Sequence, residues 1–227
     1  MRALLAATSL VLAAALPANA DNLLQKARSA SVDGPLYIFN VDVRDGETNF
    51  LMTVDPSKPE GKRVTKISPA PSALKGDAAK KAENLQKRTA GQIWCNQFME
   101  NIPASAKRTT ETETTATFSF TPVPTEEDGQ MGMAYKYLNG TATIDKATGG
   151  LLRFEMTSPK AFKPAAVAKV EKFSMKVACK PAPDGRTHID SLLLDLKGSA
   201  MMQPFEQKET RRVSNLQAIS GSGFGTP

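Results

Sequence analysis

Apolar and polar residues alternate along most of this chain, and this two-residue period restricts the fold more than any other feature. From Phe39 to Val43 every second residue is apolar, with Asn40 and Asp42 between them. The same alternation runs from 173 to 179. Because successive side chains of a strand point to opposite faces, these segments predict strands with one buried and one solvent-facing side. A largely antiparallel sheet follows from this pattern.

Short turns separate the alternating segments and predict hairpins. Asp45-Gly46, residues 146–150 and residues 183–185 are rich in the residues that tight turns require. We expect about nine strands joined in a meander. They are predicted at residues 36–44, 50–54, 64–67, 113–120, 138–144, 151–156, 173–179, 187–196 and 205–213.

One helical region interrupts the strands. Asp77 is expected to cap a helix from Ala78 to Arg88, a run of strong helix formers. A second, shorter helix is predicted from Gln92 to Ile102, where apolar residues recur at intervals of four. The predicted class is therefore α+β: a curved antiparallel sheet, in the form of a meander or half-barrel, covered by one or two helices.

The first twenty residues have the features of a cleavable export signal. Arg2 supplies a positive start, residues 3–16 are almost entirely apolar, and Ala18-Asn19-Ala20 is a small-x-small cleavage pattern. The apolar run is too short for a membrane-spanning helix. We therefore expect a periplasmic protein that is not an integral membrane protein, with one α+β domain at 21–219 and a disordered glycine- and serine-rich tail at 220–227.

Cys95 and Cys179 are the two cysteines of the chain. In an oxidising compartment an even number of cysteines predicts a disulfide, here one that fastens the second helix to a strand. The alternative is a pair of buried free thiols. A redox role is not expected, because no Cys-x-x-Cys spacing is present to lower a thiol pKa.

Patterns typical of enzymes are missing from the sequence. His188 is the only histidine, and Asp190 follows two residues later. A general base oriented by Asp190 is one interpretation, and an exposed histidine at a strand end is the favoured one. A single histidine argues against a zinc site. We predict no catalytic residue, metal or cofactor, and no enzymatic activity.

The charge of the chain suggests its partners. The formal net charge is +6, and loss of Arg2 with the signal leaves +5. A basic surface favours an anionic envelope surface or an envelope protein as partner. Nucleic acid is not expected, because the protein is exported and lacks an arginine-rich tract.

Nine methionines and ten phenylalanines are available to line an adaptable apolar surface for a lipid or acyl-chain ligand. Ordinary core packing is the alternative role for these residues. The candidates for lining a ligand site are Trp94, Phe98, Phe118, Phe154, Met156, Phe173 and Met175.

The order of these elements resembles the Lol-type periplasmic lipoprotein-carrier superfamily. The resemblance lies in the opening strand pair 36–55, the helical region 77–102, and the hairpin of 138–145 with 151–157. It implies a half-barrel whose concave face is plugged by helices. The function expected from it is non-enzymatic binding of a hydrophobic ligand or acyl chain between sheet and helices; the alternative is an envelope interaction or regulatory module with a packed core and no ligand.

Overall fold

The computed structural model describes residues 21–30, 33–46 and 48–219. The predicted export signal at 1–20 and the predicted tail at 220–227 lie outside the described residues. The described chain forms one antiparallel sheet with a few short helices, which confirms the predicted α+β class.

Eleven strands are present in the described residues, and all of their pairings are antiparallel. The strands are β1 (Tyr37–Arg44), β2 (Asn49–Val54), β3 (Val64–Ser68), β4 (Lys107–Glu111), β5 (Thr115–Phe120), β6 (Asn139–Asp145), β7 (Leu151–Thr157), β8 (Phe162–Ala165), β9 (Ala168–Pro181), β10 (Thr187–Ala200) and β11 (Gln203–Ala218).

The strand order of the sheet is β3-β2-β1-β11-β10-β9-β7-β6-β5-β4, and β8 pairs with β9 beside this path. Apart from β8, the strands from β4 to β11 follow each other as a meander, with β7 paired directly with β9. The pairing of β1 with β11 then attaches the first three strands to the last one. Because β3 and β4 form the two edges, the sheet is open.

Two of the eleven strands, β4 and β8, were not predicted, so the expected count of nine was too low. All five residues of β4 are exposed and polar, which leaves no alternation to detect. Strand β8 has only four residues and contains Pro164, a residue that usually argues against a strand. The other nine strands lie at the predicted places.

The helices differ from prediction in their bounds. Helix α1 (Asn22–Ser29) was not predicted, and helix α2 (Gly76–Arg88) was. The N-cap of α2 is Lys75, so Asp77 lies in the first turn and does not cap the helix. Helix α1 is capped by Asp21, whose carboxylate accepts a hydrogen bond of 2.9 Å from the Leu23 amide.

Three segments form 3-10 helices: Pro71–Ala73, Cys95–Asn101 and Glu126–Tyr137. The second replaces the α-helix predicted from Gln92 to Ile102. Residues 92–94, at the start of the predicted helix, are not helical, and Trp94 forms an isolated bridge with His188 of β10. The longest 3-10 segment begins with a capping box between Thr125 and Asp128 and is kinked at Gly129.

A continuous apolar core lies on the inner face of the sheet. Its fully buried side chains include Phe50, Phe118 and Phe154 from the strands and Leu24 from α1. No helix in the described part of the chain is long and apolar enough to cross a membrane.

Candidate functional site

A cleft of about 880 Å³ lies between α2 and four adjacent strands of the sheet, β2, β1, β11 and β10. We call it the α2 cleft. Its floor is formed by Phe39, Val41, Met52, Ile189, Leu192 and Val213, its helical wall by Asp77, Lys80, Lys81, Asn84, Leu85 and Arg88, its second wall by residues 89–93 and Gln97, and its β11 side by Gln207, Glu209 and Arg211.

The floor of the cleft is apolar because the register of the strands brings matching positions together. Val41 of β1 pairs with Met52 of β2 on one side and with Val213 of β11 on the other. Directly paired residues share a face of the sheet. The alternation seen in the sequence of β1 thus continues across three strands as one apolar surface.

The helical wall is a single face of α2. Asp77, Lys81, Asn84 and Arg88 follow each other at spacings of three or four residues, which places them along one side of the helix. Leu85 adds the main apolar contact on this side. The helix therefore presents a mainly polar face to an apolar floor, so that the cleft is amphipathic.

Ionic contacts hold α2 to the sheet. The Lys81 ammonium donates to Asp45, at the end of the β1 hairpin, and to Glu209 of β11, where the distance to Oε2 is 3.2 Å. The other oxygen of Glu209 accepts a bond of 2.5 Å from Nε of Arg211. The Glu209 side chain is only 4% exposed, and a buried charge is costly unless it is paired. Lys81 and Arg211 provide this pairing inside the cleft.

The rim of the cleft is cationic. Lys80, Lys81, Arg88 and Arg211 stand against the two carboxylates of Asp77 and Glu209. Lys80 pairs with Asp77, whereas Arg88 has no ion-pair partner among the residues that the structure describes. Its guanidinium is thus available to an anionic group at the mouth of the cleft.

A disulfide fixes segment 89–97, which contains the second wall. Cys95 bonds Cys179 of β9, as predicted, so the 3-10 helix is fastened to a strand. The amide of Ile189 donates to the carbonyl of Ile93 over 2.7 Å, which joins the preceding extended residues to β10. This wall is therefore fixed covalently and by the backbone, while the α2 wall is held mainly by side chains.

The predicted ligand-lining residues lie elsewhere in the protein, and none of the seven lines the α2 cleft. Four of them, Phe118, Phe154, Met156 and Phe173, are buried in the core, and Met175 is half-buried beside them. Trp94 and Phe98 border a second cleft of about 950 Å³ between α1, residues 92–102 and the start of the longest 3-10 helix.

The second cleft has both polar and apolar lining residues, and two of its charged side chains, Arg28 and Asp128, have partners within the protein; Arg28 donates to the carbonyl of Ile102. Beside this cleft, the guanidinium of Arg186 stacks on the Trp94 ring at 3.6 Å. Asp128 accepts bonds from Tyr135 (2.5 Å), from the Thr125 hydroxyl (2.9 Å) and from Asn101 (3.0 Å). Burial on its own raises the pKa of Asp128, but these hydrogen bonds outweigh it and hold the pKa below its usual value. Such a carboxylate fixes local structure.

His188 is buried, so the prediction of an exposed strand-end histidine was wrong. Its Nδ1 lies 2.9 Å from the carbonyl oxygen of Ile189, and its backbone bridges Trp94. Asp190 pairs with Lys180 at 2.7 Å. A β-bulge between Ile189 and Ser191 shifts the register of β10 at Asp190.

Histidine, cysteine and acidic side chains are the groups that could hold a metal ion in residues 21–30, 33–46 and 48–219. No three of them lie close enough together for this purpose. The α2 cleft combines an apolar floor with a cationic rim.

The sequence carried a partial signal for the α2 cleft. The alternation of β1 marks Phe39 and Val41 as inward-facing, and the helical spacing of 77 to 88 marks one face of α2. What it did not reveal was the pairing of β1 with β11, which joins residues 172 positions apart at Val41 and Val213. That pairing builds the floor.

No protein-family model matches the chain, and neither a curated protein nor a solved structure shows detectable similarity to it. A functional assignment therefore depends on the geometry and chemistry of the α2 cleft.

Proposed function

We propose that the protein binds a hydrophobic ligand, the acyl chain of an amphiphile, in the α2 cleft and performs no chemistry on it. The observation that carries this proposal is the apolar floor shared by β2, β1, β11 and β10 beneath a helix that does not fill the space above it. The cleft volume of about 880 Å³ lies within the range of small-molecule sites, roughly 300–1,000 Å³.

The chemistry of the walls indicates how such a ligand lies. An acyl chain gains about 0.8 kcal/mol for each methylene group that it removes from water, so the floor favours a long chain. Arg88 and Lys80 at the mouth favour an anionic headgroup. The ligand class that fits both features is a fatty acid or an anionic lipid with its chain against Val41 and Met52.

This proposal extends the resemblance to Lol-type carriers from the order of elements to a binding activity. In this arrangement the sheet acts as the half-barrel and α2 as its cover. The disulfide between Cys95 and Cys179 is compatible with export, and the proposed site of action is the periplasm.

A pair of neighbouring leucines on β10 offers a sharp test. Leu192 lines the α2 cleft, whereas Leu193 is exposed on the opposite face of the sheet. We expect Leu192→Arg to weaken the binding of a fluorescent fatty acid by about tenfold or more, because a guanidinium on the floor opposes an apolar chain. Leu193→Arg is expected to leave the dissociation constant unchanged.

Native mass spectrometry of protein isolated from its own periplasm provides the second measurement, with a bound amphiphile as the expected result. The proposal is overturned if the wild-type protein carries no amphiphile and binds the probe no better than an unrelated protein. That result would favour the alternative of an envelope interaction module without a ligand.

A further inference from the structure

Two hairpin turns lie side by side at one end of the sheet and expose apolar side chains. The amide of Met201, in the turn between β10 and β11, donates to the carbonyl of Val167, in the turn between β8 and β9, over 2.8 Å. Met202 is 96% exposed, Met201 76%, Val167 64% and Phe205 37%. We call these four residues the apolar tip.

Local conformation does not explain why methionines occupy this turn. The pair of Ala200 with Gln203 leaves Met201 and Met202 as a two-residue loop, and both have positive φ, 47° and 66°. Such loops favour Asn-Gly, because bulky side chains are strained at positive φ. The two methionines also fill no gap in the core, since both are exposed. Strain of this kind is typically retained where the side chains have a function.

The surroundings of the tip are basic. Residues 160–172 and 195–208, which lead into and out of the two turns, contain six lysines and three acidic residues. Lys169, Lys172 and Lys208 each pair with one of the acidic residues. Lys163 and Lys197 have no ion-pair partner among the described residues. An apolar tip within a cationic collar complements an anionic lipid bilayer, which offers acyl chains below and negative charge at its surface.

We infer that the apolar tip docks on an anionic lipid bilayer by inserting Met201, Met202 and Val167 below the headgroups. Two adjacent turns with adaptable methionine side chains favour a bilayer over a folded protein partner, because a fluid surface accepts such side chains without a matching pocket. Half-buried Leu194 and Leu196 continue on the inner face of β10 from Leu192 of the α2 cleft towards the tip. Docking there brings the open end of this apolar stripe close to the bilayer.

The inference is tested by co-sedimentation of the full mature chain with vesicles. We expect binding to vesicles of phosphatidylglycerol and phosphatidylcholine and much weaker binding to phosphatidylcholine alone, with the difference reduced by salt. The double variant Met201→Asn, Met202→Gly keeps the hairpin with the residues that its turn favours. Its partition onto anionic vesicles is expected to fall by about tenfold or more, with an equal or higher melting temperature.

The matched control is Leu193→Asn, which removes an exposed apolar side chain from the same hairpin away from the tip. It is expected to bind vesicles as the wild type does. The inference is overturned if the wild type binds neither kind of vesicle, or if the double variant binds anionic vesicles as well as the wild type does. Either result would leave a protein partner as the alternative occupant of the tip. Binding of a fluorescent fatty acid without vesicles should be unchanged in the double variant, which separates this inference from the proposed function of the cleft.

Discussion

Lys81 of α2 donates to Glu209 of β11 across 3.2 Å, and this contact bridges the α2 cleft from its helical wall to its sheet. Ala82 is the only fully buried residue of α2, so apolar packing alone holds the helix weakly. The attachment of α2 to the sheet thus depends largely on the ionic contacts of Lys81. We expect a helix held in this way to detach without unfolding of the sheet.

Replacing Lys81 should loosen α2. We expect Lys81→Met to lower the free energy of unfolding by about 1–3 kcal/mol, because Glu209 then keeps only Arg211 as a cationic partner and Asp45 loses its ion pair with Lys81. Hydrogen exchange of the α2 amides should become faster than in the wild type. The neighbouring Lys80→Met is the control, since Lys80 pairs only with the exposed Asp77, and its effect should stay within about 0.5 kcal/mol. Equal hydrogen-exchange rates of the α2 amides in the two variants would refute the view that Lys81 holds α2 to the sheet.

The disulfide is expected to contribute much of the stability of the second wall. On the chain-entropy model, a loop closed between residues 84 positions apart stabilises the folded state by about 4 kcal/mol. Cys95→Ser and Cys179→Ser should each lose a similar amount in denaturant unfolding, and the wild type should migrate more slowly on gels after reduction. Labelling of two thiols in the native exported protein would contradict this prediction.

Phe154 tests whether the aromatic residues nearest the second cleft belong to the core. Its ring stacks on Phe98 at 5.0 Å and lies 6.0 Å from Phe120, and its side chain is fully buried. Phe154→Ala should therefore cost about 3–5 kcal/mol in denaturant unfolding, while the half-buried Met175→Ala should cost less. Fatty-acid binding per folded molecule should be unchanged in Phe154→Leu, a milder variant. A loss of fatty-acid binding in Phe154→Leu would indicate that the ligand binds outside the α2 cleft.

Sequence reasoning recovered the parts of this fold that depend on local pattern. The alternation of β1 and of residues 173–179 predicted strands because one face of each is buried. The presence of two cysteines predicted the disulfide between them. Strand β4 was missed because neither of its faces is buried, so its pairing with β5 leaves no mark on the hydrophobic pattern. The 3-10 helix at Cys95–Asn101 was mistaken for an α-helix, because a segment of seven residues is too short to distinguish the 3-10 period from the α-helical period reliably.

The candidate site was harder to predict than the fold. The seven predicted lining residues were chosen for size and apolarity, properties that core residues such as Phe118 share with ligand contacts. The α2 cleft depends on the distant pairing of β1 with β11, and on the polar face that α2 turns towards it. The strand pairing cannot be predicted from the residues of a single element, and the sequence of α2 marks its polar face without indicating which strands that face approaches.

Acid should destabilise the network around Asp128. Burial raises the pKa of its carboxyl, but the hydrogen bonds from Tyr135, Thr125 and Asn101 lower this pKa by a larger amount, so the net shift is downward. A group with a lower pKa in the folded state adds stability that is complete above its unfolded pKa of about 3.9 and is lost as the pH falls through the folded pKa.

Asp128→Asn tests this linkage. It should be less stable than the wild type by about 1–3 kcal/mol at neutral pH, and the difference should shrink as the pH falls below about 4. Urea unfolding at a series of pH values measures both. Glu126→Gln in the same 3-10 helix is the control, since Glu126 is exposed, and it should follow the wild-type curve. A difference for Asp128→Asn that stays constant with pH would argue against the linkage.

Arg88 should select the headgroup of the proposed ligand. It stands at the mouth of the α2 cleft without an ion-pair partner among the described residues, whereas the adjacent Lys87 lies outside the cleft and pairs with Glu83 at 3.8 Å. A carboxylate beside Arg88 gains a charge-assisted hydrogen bond, but the gain is modest because the residue is exposed. We expect Arg88→Gln to weaken fatty-acid binding by about fivefold, or roughly 1 kcal/mol, and to leave the binding of the matching fatty alcohol unchanged. Lys87→Gln should change neither. Competition against a fluorescent probe measures all four affinities; equal losses for acid and alcohol would mean that Arg88 shapes the cleft and does not read the headgroup.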